Sequence, residues 1–261
     1  MTLALALTLF VLGTMGAFVA GLLGVGGAIV MIPLLLYVPP LLHVGALDVK
    51  SVTGVTMVQV FVAAVSGMIA HRRGRAVHGP LVWIGGATMA CGSLAGALMS
   101  RHVSHRFLLV VFALMATAAT GLVLVRMEAL ELPIFAEQIR FSRLRAGLVS
   151  LGVGLGAGLV GAGGAFLLVP LLVVVVGVPL RVTIGSSLGI TALAAAAGLA
   201  GKVITWQVPW SLALTVAAGA VPGAQIGARV SRRLPTRRLK VALFIIVAAT
   251  TIGTWWDLLM R

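Results

Sequence analysis

Two phrases in the chain, GLLGVGGAIVMIPLL from Gly21 and GLVGAGGAFLLVPLL from Gly158, agree at nine of fifteen positions. Each carries a G-x-G-G cluster, Gly24, Gly26 and Gly27 in the first and Gly161, Gly163 and Gly164 in the second, followed by a proline, Pro33 or Pro170. Glycine adopts positive φ without steric cost, so such a cluster can unwind one helix and start the next. A helix start offers unpaired amides and a partial positive charge, a setting that suits an anion. The competing explanation is close helix packing through small residues, and a single copy would not separate the two. Two copies in matched flanks favour a paired site.

Polar residues inside apolar runs supply further candidates. KSVTGVTMVQ spaces Thr53, Thr56 and Gln59 three apart, on one helix face, and RVTIGSSLGIT offers Thr183, Ser186, Ser187 and Thr191. Hydroxyls and amides can donate to anion oxygens without carrying charge, although a lone Ser or Thr can equally bond back to its own helix. Gln59 and Gln225 each bring two donors and an acceptor, which makes them costly to bury idly. Lys50 and Arg181 stand just before the two hydroxyl-bearing segments and are candidate entrance charges, or simple helix-flanking anchors.

The chemistry that is missing narrows the field. The five acids, Asp48, Glu128, Glu131, Glu137 and Asp257, all fall in connections or near the end of the sequence, which argues against a buried proton relay or a hard-cation cage. No His, Cys or carboxylate cluster has metal-ligand spacing, and no nucleophile sits beside a base, so neither metal, cofactor nor enzymatic activity is expected. The lone cysteine, Cys91, lies in an apolar run and is expected to pack there.

These candidates need a membrane to hold them. Apolar residues make up 61% of the chain and charged residues 9%, too few to cover a water-facing surface. Charge-free runs predict ten membrane segments, at 2–23, 28–42, 51–70, 79–99, 107–125, 145–160, 165–178, 183–201, 209–229 and 239–257. The 35 uncharged residues from Ala146 to Leu180 are too few for two full crossings, so the segments flanking the glycine cluster should be short or tilted, meeting at a break inside the bilayer. A signal peptide is the bland reading of the first segment; its mid-chain counterpart argues that it is retained.

The likeness between halves continues beyond the opening phrases. Their offset is 137 residues; farther on it becomes 131, pairing Gly54 with Gly185, Thr56 with Ser187, Gly92 and Gly96 with Gly223 and Gly227, and Arg106 with Arg237. The expected fold is an all-α polytopic membrane protein of two repeats, 1–126 and 144–261, joined by a cytoplasmic linker at 127–143. Five segments per repeat make the halves inverted, so that the two breaks would converge near the midplane. Gly92-x-x-x-Gly96 and Gly223-x-x-x-Gly227 read as helix contact faces.

The net charge of +14 comes from short clusters between apolar spans, with no soluble basic domain, which argues against nucleic acid. Alternate connections, including HRRGR (71–75) and RRLPTRRLK (232–240), hold 14 of the 19 basic residues, which places them inside and both termini outside. The remaining five, Lys50, Arg101, Arg106, Lys202 and Arg261, are counted on the outer side.

The repeated glycine phrase, followed by TGVTM in one half and GSSL in the other, resembles the TauE/SafE sulfite exporter family, also called the 4-toluene sulfonate uptake permease family. The resemblance covers nearly the whole chain. It implies a carrier of sulfur-containing anions such as sulfite, a sulfonate, sulfoacetate or thiosulfate in the bacterial inner membrane. It also implies that the glycine breaks, with Thr53, Thr56, Ser186 and Ser187, line the pathway. The first half departs from the family's usual TSL, keeping one hydroxyl, Thr56, at that motif. The expected partners are a small anion and the lipid bilayer, with a homo-oligomer left open. An anion channel, an intramembrane enzyme and a structural membrane partner are the rivals.

Overall fold

In lipid each backbone polar group must find a partner within the protein, and long apolar runs meet that demand as helices. A computed structural model of the chain describes residues 2–72, 77–126 and 141–260, and among them the regular structure is helical throughout. The helices are α1 (Leu3–Leu23), α2 (Ala28–Leu41), α3 (Val49–Arg72), α4 (Gly79–Met99), α5 (His105–Arg126), α6 (Arg143–Val160), α7 (Ala165–Leu171), α8 (Leu180–Ile204), α9 (Trp210–Arg233) and α10 (Thr236–Met260). A π-helical turn, Leu172–Val176, extends α7. The chain is an all-α polytopic membrane protein: eight of these helices are long and apolar enough to cross a bilayer, while α2 and the α7 stretch are shorter. At 14 residues α2 is about 21 Å long, short of a hydrocarbon core of about 30 Å.

The principal helix contacts join α1 to α9 and α4 to α6, with α3 and α8 side by side in the centre. Glycines permit the first two. A Cβ on Gly92 or Gly96 would overlap the Leu151 or Leu155 carbonyl of α6, and one on Gly223 or Gly227 would overlap the Thr14 or Phe18 carbonyl of α1. Without Cβ atoms the backbones come into direct contact, as the small-residue spacing implies.

Polar contacts sort the helix ends into two sets. One gathers the start of α3 with the ends of α4 and α8: Lys50 donates to the Arg101 carbonyl at 3.1 Å and Lys202 to Ser100 Oγ at 2.8 Å. At the other, the His78 amide donates to Ser186 Oγ at 2.9 Å, Arg232 to the Ala70 carbonyl and Arg181 to the Leu234 carbonyl. Exposed Trp83, Trp206, Trp210 and Trp256 lie toward these ends, where amphipathic rings favour a membrane boundary. Cys91 departs from expectation: it is on α4 but exposed, because Gly92, Ser93 and Gly96 take the packed face. Residues 73–76 of the basic connection and 127–140 of the linker lie outside the described residues.

Candidate functional site

Both glycine clusters break the helix as their composition demands. Gly24 ends α1 at φ 72° and Gly161 ends α6 at φ 73°; Gly27 and Gly164, at φ 79° and 65°, start α2 and α7. Gly26 and Gly163 are left-handed as well. Any other residue would strain these turns.

Each break is held by the central helix of the other half. Thr56 Oγ1 on α3 lies 2.9 Å from the Gly161 carbonyl, and Ser187 Oγ on α8 lies 2.9 Å from the Gly24 carbonyl. Each hydroxyl also reaches a carbonyl of its own helix, Val52 at 2.8 Å or Ile184 at 3.0 Å, so its hydrogen is shared. The contacts match at the offset already noted between Thr56 and Ser187. A Cβ on Gly161 would overlap the Thr53 carbonyl, and one on Gly24 would come within 2.6 Å of the Ile184 carbonyl.

The two breaks approach each other beside Val60 and Thr191, near the middles of α3 and α8. A Cβ on Gly26 would stand 3.4 Å from Ala165 Cβ and 3.5 Å from both Val60 Cγ1 and Thr191 Cγ2, and one on Gly163 would stand 3.2 Å from Thr191 Cγ2. The residues here are buried, among them Thr56, Gln59, Ser187 and Thr191, and so are Thr53 and Ser186 nearer the helix ends.

Gln59 is the exceptional member. Both its carboxamide atoms are buried without a hydrogen-bond partner, and so is Thr191 Oγ1. Gln59 Nε2 lies 3.1 Å from where a Gly27 Cβ would be, beside the start of α2, whose cap has no side-chain hydrogen bond. Leaving such a group unpaired costs about 1–3 kcal/mol. The start of α7 differs: a Cβ on Gly164 would meet Ala157, Val153 and Met89, all apolar, at 2.7 to 2.9 Å. The two helix starts are therefore related in backbone but not in polarity.

Other candidates fall outside this centre. Ser186 accepts the His78 amide at one end of the bundle. Gln225 is exposed on α9, because Gly223, Ala224 and Gly227 occupy its buried face against α1. Lys50 and Arg181 stay at opposite ends, each bonded to a backbone carbonyl.

Lys202, counted by its charge among the basic residues of the outer side, lies inside the bundle. Helix α8 continues to Ile204, and Lys202 in its last turn is wholly buried. Its Nζ donates to Ser100 Oγ (2.8 Å), Gln207 Oε1 (3.0 Å), Thr53 Oγ1 (3.1 Å) and the Leu159 carbonyl (3.3 Å). The available signal was a lysine adjoining long apolar runs with no acid near it in sequence.

Apolar helices of spanning length, two of them broken at glycine clusters buried within the bundle, define a polytopic membrane protein. The chain belongs to the sulfite exporter TauE/SafE family, whose model matches residues 9–254. It is also similar to two proteins of Xylella fastidiosa, from strains Temecula1 and 9a5c, each described as "Probable membrane transporter protein". Identity is 32% over 181 and 183 residues, covering 67% of this chain and 66% of each relative's length. No solved structure matches the chain significantly.

Proposed function

We propose that the chain is a secondary transporter that binds a small sulfur-containing oxyanion, such as sulfite, a sulfonate, sulfoacetate or thiosulfate, in the interior of the bundle. Its family and relatives, named for export and membrane transport, support the class. The observation that carries the binding site is Gln59, a buried carboxamide with no partner beside the uncapped start of α2. An anion there would accept from the Gln59 Nε2–H and the Thr191 hydroxyl while facing the positive end of α2. Thr56 and Ser187 serve the same site by holding the breaks, and the apolar start of α7 walls it. The proposed setting is the bacterial inner membrane with both termini outside, and the reading includes no enzymatic step.

Gln59→Leu tests this directly. Removing an unpaired buried amide should leave thermal stability equal or raise it by about 1 kcal/mol. Anion flux into proteoliposomes should fall to background across sulfite, thiosulfate and a sulfonate. A Gln59→Leu protein that transports as well as the parent would overturn the assignment.

A further inference from the structure

Among the described residues Lys202 is the only charged side chain that is wholly buried. Four oxygens surround its ammonium, from Ser100, Gln207, Thr53 and Leu159, and none belongs to a carboxylate. An ammonium has three N–H donors, so one of the four acceptors is surplus.

What offsets the charge is backbone. α4 ends at Met99, α6 at Val160 and α8 at Ile204, so three helix C-termini meet at Lys202. Each carries about half a negative charge. Those partial charges are spread over three helix ends rather than paired with the ammonium as a carboxylate would be, and taking a lysine's charge out of water carries a desolvation cost. A methionine would fill the same space without that cost, so packing alone does not explain the lysine.

The oxygen best placed to leave is that of Gln207. It comes from the short connection between α8 and α9, not from a helix, and its Nε2 is held by Ser100 Oγ (3.1 Å) and Thr205 Oγ1 (2.8 Å). The residue before it, Trp206, is 94% exposed and has φ 57°, a left-handed conformation that a bulky side chain adopts at a cost. A strained connection thus presents a neutral carboxamide oxygen to the ammonium. From there Thr53, Thr56 and Gln59 step inward along α3 toward the middle of the bundle. Among the described residues, the opposite end shows no wholly buried charge, and Arg181 there is exposed and bonded to the Leu234 carbonyl.

We propose that Lys202 is an anion-binding residue at one mouth of the pathway, and that Gln207 is its plug, its Oε1 giving way to an oxygen of the incoming anion. This rests on the anion-transport reading above. Other positive groups at this end include Lys50, whose Nζ is engaged by the Arg101 carbonyl, Arg101 itself, which donates to His102, and exposed Arg106 at the start of α5.

The test is the KM for sulfite and thiosulfate flux in proteoliposomes, with thermal stability measured in parallel. Lys202→Met should raise KM at least about tenfold, with Lys202→Arg intermediate. Gln207→Ala should lower KM by removing the plug. Gln207→Glu should raise it, because a tethered carboxylate would pair with the ammonium and stabilise the closed form. If Lys202→Met does not assemble, the opposite directions expected of the two Gln207 variants still decide. Unchanged KM in Gln207→Ala and Gln207→Glu, with parent flux intact, overturns this proposal alone. A parent protein that carries none of these anions overturns the transport reading and this inference with it.

Discussion

The Thr56 hydroxyl lies 2.9 Å from the Gly161 carbonyl, linking the middle helix of one half to the helix break of the other. Ser187 and Gly24 make the reciprocal contact at the same distance. Thr56→Val and Ser187→Ala should each lower stability by about 1 kcal/mol, the usual scale for a hydrogen bond between membrane helices. Unfolding measured in detergent checks the figure. The pair should also widen the range of break geometries, seen as faster backbone amide exchange at residues 24–27 and 161–164.

Glycine substitutions should separate breaks from ordinary helix. At Gly27, φ is 79° and a Cβ would overlap the Gly16 carbonyl, so Gly27→Leu should abolish flux. Gly253 on α10 has nothing within 4 Å of a Cβ, so Gly253→Ala should preserve flux and add about 0.5–1 kcal/mol. Flux and thermal stability measured on both variants test the contrast, which fails if Gly27→Leu transports.

His78 predicts an acid-sensitive helix start. Its Nδ1 accepts the Leu81 amide at 3.2 Å as the cap of α4, and its ring stands edge-on to Phe141. Burial lowers its pKa below the ordinary 6.5, since the protonated ring is disfavoured there. The folded protein then binds its proton less readily than the unfolded chain. Stability from this group is full above about pH 6.5 and is lost as pH falls through the lowered folded value. His78→Asn keeps a capping acceptor and should flatten the melting temperature between pH 7 and 5 by roughly the contribution of one group.

Orientation can be read by labelling in a Cys91→Ser background. A cysteine at Gly45, in the connection before α3, should react with an impermeant maleimide added outside intact cells. One at Pro235, between α9 and α10, should react only after lysis. The reverse pattern would invert the proposed topology.

The features most legible in the sequence were those with local causes. Only glycine tolerates the left-handed turns at Gly24 and Gly161, and small residues four apart at Gly92 and Gly96 can face one neighbour only. Gln225 is a candidate that the structure places outside the centre, and the cue was present: two residues beyond Gly223 a helix has turned by about 200°, which puts Gln225 on the opposite face. Lys202 was not. Its environment comes from three helix ends and a connection that converge only in the folded bundle, and a lysine at the end of an apolar run otherwise looks like a boundary marker. The difference between Gln59 and its counterpart Ile190 was visible, but what it meant depended on the contact with Gly27.

The pairing of α1 with α9 also sets an order of events during synthesis. Helix α1 leaves the ribosome long before the partner for its glycine-lined face, which ends at Arg233. At about 5–20 residues per second, roughly 10–40 s separate the two. For that interval α1 is a helix in lipid without its mate, and its contact with α9 forms only once α9 has been made.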